Sequence, residues 1–214
     1  MRREAEETDD EAEKPFGVPV FPAATGRRDR KPPATGRHLN AAEIGAAHHK
    51  FLQHVLLAKT GDVAAEAERL VQENFMTADE CAVLDLAALA QFWDSPLGRK
   101  IRAQPPDSVK RELPFTARFS PAELAAVTGR PTEGTLADEF IVVQGVADLV
   151  VLLAAEIWLV DFKTDDVRAG ELEMKKRLYE PQLRLYAAAL EKIFSRKVTQ
   201  RALHFLAAQR TVEV

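Results

Sequence analysis

The 214-residue chain is 46% hydrophobic and 29% charged, and its formal net charge of −4 excludes a polycation that coats nucleic acid through charge alone. Its length suits one ordinary domain with a real core, or one domain plus a tail. A single cysteine, Cys81, excludes an internal disulfide and any multi-cysteine zinc or iron–sulfur site, which fits a cytoplasmic setting.

The opening "MRREAEETDDEAEKP" is charged where a secretory signal needs an apolar run. Residues 1–38 are first acidic, then basic and proline-containing ("GRRDRKPPATGR"), without a sustained apolar period, and read as a flexible linker or lead-in. The basic stretch resembles a nucleic-acid arm, although linkers share that composition. From residue 39 the chain reads as one folded domain.

Asn40 with Glu43 three residues later forms a capping-box signal, so a helix is expected with Ile44, Phe51, Leu52 and Val55 on its buried side. From Asp62 to Trp93 the apolar residues keep helical spacing, and Ser95 followed by Pro96 starts another short helix. At "KRELPFTARF" the pattern changes to alternation and predicts a strand from Glu112 to Phe119. "SPAELAAV" gives a short helix, followed by a loop rich in glycine, proline and threonine.

Two strands come next, Phe140 to Leu153 and Ile157 to Lys163, close enough to form an antiparallel hairpin turning near Ala154 to Glu156. Gln144, Asp148 and Glu156 interrupt the apolar run here, so it is not a membrane span. "YEPQLRLYAAALEKIF" is an amphipathic helix with Pro181 placed in its first turn, and "VTQRALHFLAA" and "TVEV" finish as strands. The fold class is α+β: a mixed central sheet flanked by helices, with an N-terminal helical block.

Asp148, Asp161 and Lys163 lie among the most hydrophobic residues of the chain, where isolated charges are costly. On a strand Asp161 and Lys163 share one face while Phe162 points to the other, and a tight hairpin brings Asp148 opposite Asp161. Two facing carboxylates repel unless a cation joins them, and hard oxygen ligands suit Mg²⁺ or Mn²⁺. An isolated D-x-K also reads as an ordinary salt-bridged pair, and the spacing alone does not choose between these readings.

The surrounding segments add specificity: "GAAHHKFLQH" (Gly45 to His54), "SPLGRK" (Ser95 to Lys100), "RELPFT" (Arg111 to Thr116), "QGVADL" (Gln144 to Leu149), "VDFKTD" (Val160 to Asp165) and "EPQLRLYAAALE" (Glu180 to Glu191). Together and in this order they resemble the RecB-like branch of the PD-(D/E)XK nucleases, most closely the C-terminal nuclease domain of the AddA-type ATP-dependent helicase/nucleases. The resemblance implies the PD-(D/E)XK fold and metal-dependent, exonuclease-type hydrolysis of DNA in double-strand break repair and recombination. It assigns His49, of a G-x-x-x-H element beginning at Gly45, as the imidazole ligand, although a one-residue slip would choose His48. Asp148 and Asp161 match carboxylate ligands, the carbonyl of Phe162 a further ligand, and Lys163 the catalytic lysine. Gln182 and Tyr186 match a Q-x-x-x-Y element that supports the site and positions DNA, and Glu112 matches a recurrent glutamate.

Asp165 reads as a turn cap, Lys175, Arg177 and Arg184 as a solvated helix face, and Asp138, Glu139 and Glu156 as exposed loop charges. His54 reads as surface or core and Trp93 and Trp158 as core or interface, with no aromatic row for stacking single strands. The full-length enzymes of this family carry a helicase, but this chain has no G-x-x-x-x-G-K-[ST] phosphate loop. Its DNA would then be delivered by a helicase domain or subunit supplied elsewhere, unless the chain is a free-standing relative. The competing function is a nuclease-fold module that has lost catalysis and serves DNA docking or protein interaction.

Overall fold

A computed structural model describes residues 39–130, 139–168 and 170–214. The proposed lead-in with its basic stretch, Asp138 and most of the loop after "SPAELAAV" lie outside them. Among the described residues, five helices come first: α1 (Ala41–His54), α2 (Val63–Gln72), α3 (Ala78–Ala82), α4 (Leu86–Asp94) and α5 (Pro96–Arg102). The chain then forms β1 (Val109–Phe119), α6 (Pro121–Thr128), β2 (Ile141–Leu152), β3 (Glu156–Lys163), α7 (Leu172–Phe194), β4 (Lys197–Phe205) and β5 (Arg210–Glu213). None of the described helices is long and apolar enough to cross a membrane.

Local chemistry sets the helix starts. Asn40 and Glu43 exchange backbone-to-side-chain bonds of 2.9 Å each, completing the capping box of α1. Asp62, Asp85 and Ser95 each accept a bond from the first turn of the helix they precede, satisfying backbone donors that would otherwise lack partners. Gly98 lets α5 close onto α4, since a Cβ there would sit 2.1 Å from the Phe92 carbonyl oxygen.

The strands form one sheet in the order β1-β2-β3-β4-β5, with only β3 and β4 parallel. That pair needs a crossover, and α7 supplies it. The β2–β3 turn is tight, with the Leu153 N–H donating to the Glu156 carbonyl at 2.9 Å. Period-two alternation sends Leu149, Val151, Trp158, Val160 and Phe162 into a core shared with α1, α2, α4 and α5. Val150, Ile157, Leu159, Leu203 and Phe205 enter a second core under α7. Trp93 and Trp158 are both core residues, and His54 stacks on Phe75 with centroids 4.5 Å apart.

Three boundaries differ from the expectations. Helix α7 begins at Leu172, so Pro181 lies inside it on an exposed face, not in its first turn. The Leu, Met, Lys and Glu content before Pro181 favours helix enough to outweigh one missing backbone donor. Strand β1 starts at Val109, before the expected Glu112, because Glu112 interrupts the alternation without ending the strand. Glu156 is the first residue of β3, not a loop charge, and accepts a hydrogen bond from Thr199.

Candidate metal centre and catalytic cleft

The ladder opens where the charges sit. Arg111 pairs with Leu149 and Leu113 with Ala147, but Glu112 and Asp148 between them are not paired. Glu112 has φ 46°, a left-handed conformation that costs a non-glycine residue energy. Core membership changes at the same point: Val109 and Leu149 face the helical block, whereas Phe115 and Ala147 face α7. On the other side, β2–β3 pairing stops at Leu149 and Val160. One further step along this register puts Asp148 opposite Asp161, as the hairpin argument expects. There the Asp148 carboxylate accepts the Phe162 N–H at 2.8 Å.

Helix α1 brings an imidazole to this opening. Gly45 allows the close approach, because a Cβ would lie 2.9 Å from Thr164 Oγ1 just past β3. One turn later, His49 Nδ1 is 3.6 Å from both Glu112 Oε1 and Asp148 Oδ2. The neighbouring His48 is buried: its Nδ1 bonds the Ile44 carbonyl at 2.8 Å, and its Nε2 accepts the Asp85 N–H at 2.9 Å. A backbone N–H can only donate, so Nε2 is the bare nitrogen and both ring positions are used within the core. The register places His49, not His48, at the cleft.

His49, Glu112 and Asp148 can each offer one ligating atom, with all three atoms within 4.8 Å of one another. Glu112, expected only as a supporting residue, therefore joins the possible ligand group. Asp161 is 4% exposed and turns toward Lys163, whose Nζ is 3.1 Å from its Oδ2. That oxygen has no hydrogen-bond partner of acceptable geometry despite the ion pair. The Phe162 ring is buried edge-on against Phe92, with centroids 4.9 Å apart, and leaves the backbone of this residue beside the carboxylates.

Electrostatics reflect the crowding. Burial first, and Asp161 second, raise Asp148 to about 7, against the pull of His49 and the Phe162 N–H. Burial lowers the pKa of His49, but Glu112, then Asp148 and Asp161, outweigh it and raise the imidazole above its ordinary value. Burial also lowers that of Lys163, and Asp161 and Asp148 overcome it, so the ammonium is retained. One imidazole and converging carboxylates, one with an unfilled buried oxygen, fit a hard divalent cation.

Helix α7 forms the adjoining wall. Tyr186 packs edge-on against Phe115 with centroids 4.8 Å apart, and Gly145 makes room, since a Cβ there would meet the Tyr186 ring at 3.0 Å. Burial raises the Tyr186 phenol, opposed by its hydrogen bond with Gln182, while the Asp161 and Asp148 charges reach it from the cleft. Two residues near this wall differ from the expectations. Tyr179 donates to Asp165 Oδ2 at 2.6 Å, and Lys175 Nζ lies 3.1 Å from the same oxygen. Asp165 is thus an anchor for α7, not a turn cap, and Lys175 is half-buried, not part of a solvated face. The one available signal was the four-residue spacing of Lys175 and Tyr179, which puts both on one helix face.

Residues 24–213 match the PD-(D/E)XK nuclease superfamily. The chain belongs to this superfamily, whose α+β core accounts for the mixed sheet. Its curated relatives include the A subunit of the ATP-dependent helicase/nuclease of Moorella thermoacetica, 37% identical over 171 residues covering 78% of this chain and 12% of the relative. The proteins of the same name from Pelotomaculum thermopropionicum and Bacillus cereus (strain B4264) are 35% and 34% identical, covering 78% and 82% of this chain. This chain covers 13% and 14% of their respective lengths.

Proposed function

We propose that the chain is the nuclease domain of a DNA-end-processing enzyme of double-strand break repair and recombination, hydrolysing DNA phosphodiesters in exonuclease fashion. The observation that carries this reading is the convergence of His49, Glu112 and Asp148 beside the Asp161–Lys163 pair. The names of its relatives support a nuclease that works with a helicase, in the same polypeptide or a separate one, and DNA as the substrate is what the sequence resemblance implies. Residues 39–214 are taken as the nuclease domain and 1–38 as its lead-in. A cytoplasmic location belongs to the same reading.

His49, Asp148, Asp161 and the Phe162 carbonyl, with Glu112 as a further donor, would hold Mg²⁺ or Mn²⁺. Such a cation, when bound, polarises the phosphate and lowers the pKa of an attacking water. In the overall reaction a water oxygen bonds to phosphorus, the bond to the 3′-oxygen breaks, the water loses a proton to solvent, and the leaving oxygen gains one. Lys163 keeps its proton beside Asp161 and offsets charge developing on the phosphoryl oxygens. Gln182 and Tyr186 line the wall against which the strand rests.

End-labelled single- and double-stranded DNA, incubated with Mg²⁺ or Mn²⁺, tests the proposal. Cleavage by wild type that is absent with EDTA and in Lys163→Ala is expected. Cleavage that persists with EDTA would overturn the metal requirement. A chain that neither cleaves DNA nor binds Mn²⁺ would be a non-catalytic interaction module.

A further inference from the structure

The Lys163 ammonium has two neighbours of different chemistry. On one side, Asp161 Oδ2 lies 3.1 Å away in an ion pair. On the other, Nζ lies over the Tyr179 ring, 4.1 Å from its centroid, inside the range in which a ring face attracts a cation. The ring limits where the ammonium can go without supplying an oxygen to compete for its protons. A hydrogen-bonding residue there would engage an N–H, whereas the ring leaves the remaining donors for the cleft.

Tyr179 is itself held. Its hydroxyl donates to Asp165 Oδ2 at 2.6 Å, and Lys175 Nζ, from the same face of α7, lies 3.1 Å from that oxygen. Asp165 follows Lys163 by two residues, so the end of β3 fixes the ring that confines its own lysine. The brace also ties the first half of α7 to the strand carrying Asp161. A lysine with four rotatable side-chain bonds would otherwise lose conformational freedom each time it adopted the reactive geometry.

We propose that Tyr179, anchored by Asp165, is a positioning residue for Lys163, setting where the ammonium meets the scissile phosphate; this rests on the nuclease reading above. The ring face is the active part and the hydroxyl is its anchor. The two substitutions at this position should therefore differ: Tyr179→Leu removes the face, whereas Tyr179→Phe keeps it and loses only the bond to Asp165.

The test pairs kinetics with a spectroscopic readout that needs no catalysis. The ε-methylene signals of Lys163, assigned by comparison with Lys163→Arg, should lie upfield of those of other lysines through the Tyr179 ring current. Tyr179→Phe should retain that shift and Tyr179→Leu should lose it. On DNA with Mn²⁺, Tyr179→Leu should lower kcat by about 10- to 100-fold, as expected when a reactive group is misplaced by an ångström or so, with KM little changed. Tyr179→Phe should recover most of the loss, and both variants should keep the wild-type Mn²⁺-induced thermal shift.

An unshifted Lys163 signal in wild type, unchanged kcat in Tyr179→Leu, or a rise in KM alone would overturn the positioning role. Equal loss in the Phe and Leu variants would also overturn it, by moving the function from the ring to the hydroxyl. If wild type cleaves no DNA while the upfield signal is present, the nuclease reading fails and the positioning role with it, and the intact signal identifies the reading, not the contact, as the fault.

Discussion

The two ends of the β2–β3 hairpin use the same strands for opposite purposes. Near the turn, Leu149 to Leu152 pair with Ile157 to Val160, and Ile157, Leu159 and Val160 are fully buried. At the far end, one step beyond the last pair, Asp148 faces Asp161, and Glu112 on the other neighbouring strand is also unpaired and left-handed. The dry end keeps β2 and β3 paired, with one irregularity against β4 between Ile157 and Trp158, and supplies rigidity. The charged end gives up ladder bonds, and that loss is tolerable because the dry end holds the strands in place. Stability and chemistry are thus separated by one residue along a strand.

Adjacent positions should break this contrast most strongly. Lys163→Ala should reduce DNA cleavage by about 10²- to 10⁴-fold while circular dichroism stays near wild type and the unfolding midpoint falls only by what the ion pair with Asp161 supplies. Leu149→Ala, one residue from Asp148, should do the reverse, costing about 2–5 kcal/mol in denaturant unfolding through a cavity in the larger core. If Lys163→Ala unfolds the protein, or Leu149→Ala leaves its stability unchanged, the division between the two ends is wrong.

A smaller effect concerns pH. The raised Asp148 pKa, about 7 against an ordinary 3.8, means its contribution is fully present below about 3.8 and lost as pH rises through 7. Without divalent metal, wild type should therefore be less stable at pH 8 than at pH 6, and Asp148→Asn should flatten that slope. The gain at pH 8 should be roughly 1–3 kcal/mol, since a tenfold change in proton affinity is worth about 1.4 kcal/mol. Asn can still accept the Phe162 N–H, so the comparison isolates the charge. His204 acts in the other direction at acid pH: burial holds it at about 4, so stability falls as pH drops from about 6.5 toward 4. Both proteins carry His204, so the difference between wild type and Asp148→Asn at each pH from 6 to 8 cancels its contribution.

The adjacent histidines sharpen the same point. His48→Ala removes a buried ring that bonds the Ile44 carbonyl and the Asp85 N–H, and should cost about 1–3 kcal/mol while metal binding persists. His49→Ala should change apo stability by less than about 1 kcal/mol and remove most of the Mn²⁺-induced shift. Urea unfolding with and without Mn²⁺ separates the two patterns.

Much of this arrangement is legible in the sequence because it depends on local rules. The Asn40–Glu43 box marks α1, alternation marks the hairpin, and D-x-K puts Asp161 and Lys163 on one face. The choice of His49 over His48 came from resemblance, and its physical basis needed three dimensions: His48 is occupied by Asp85, which lies 37 residues away. Glu112 hid the first residues of β1 because its left-handed turn breaks the alternation that identifies strands. Pro181 hid the start of α7 from Leu172 to Leu178, and with it the Lys175 arm of the Tyr179–Asp165–Lys175 brace, because a proline in an exposed helix reads locally as a start. These failures lie beside the cleft, where local preferences yield to the site's geometry.

The carboxylates at the open end of the sheet, where the β1–β2 ladder is interrupted at Glu112 and Asp148, form the proposed divalent-cation site. Its most direct test is the unfolding temperature as a function of Mn²⁺ at pH 8, for wild type and Asp148→Asn. A ligand that binds only the folded chain raises stability by RT ln(1 + [L]/Kd), about 2.7 kcal/mol at a hundredfold excess over Kd. A saturable rise is expected in wild type and should be largely lost in Asp148→Asn; an absent rise, or the same rise in both proteins, would mean that these carboxylates hold no cation.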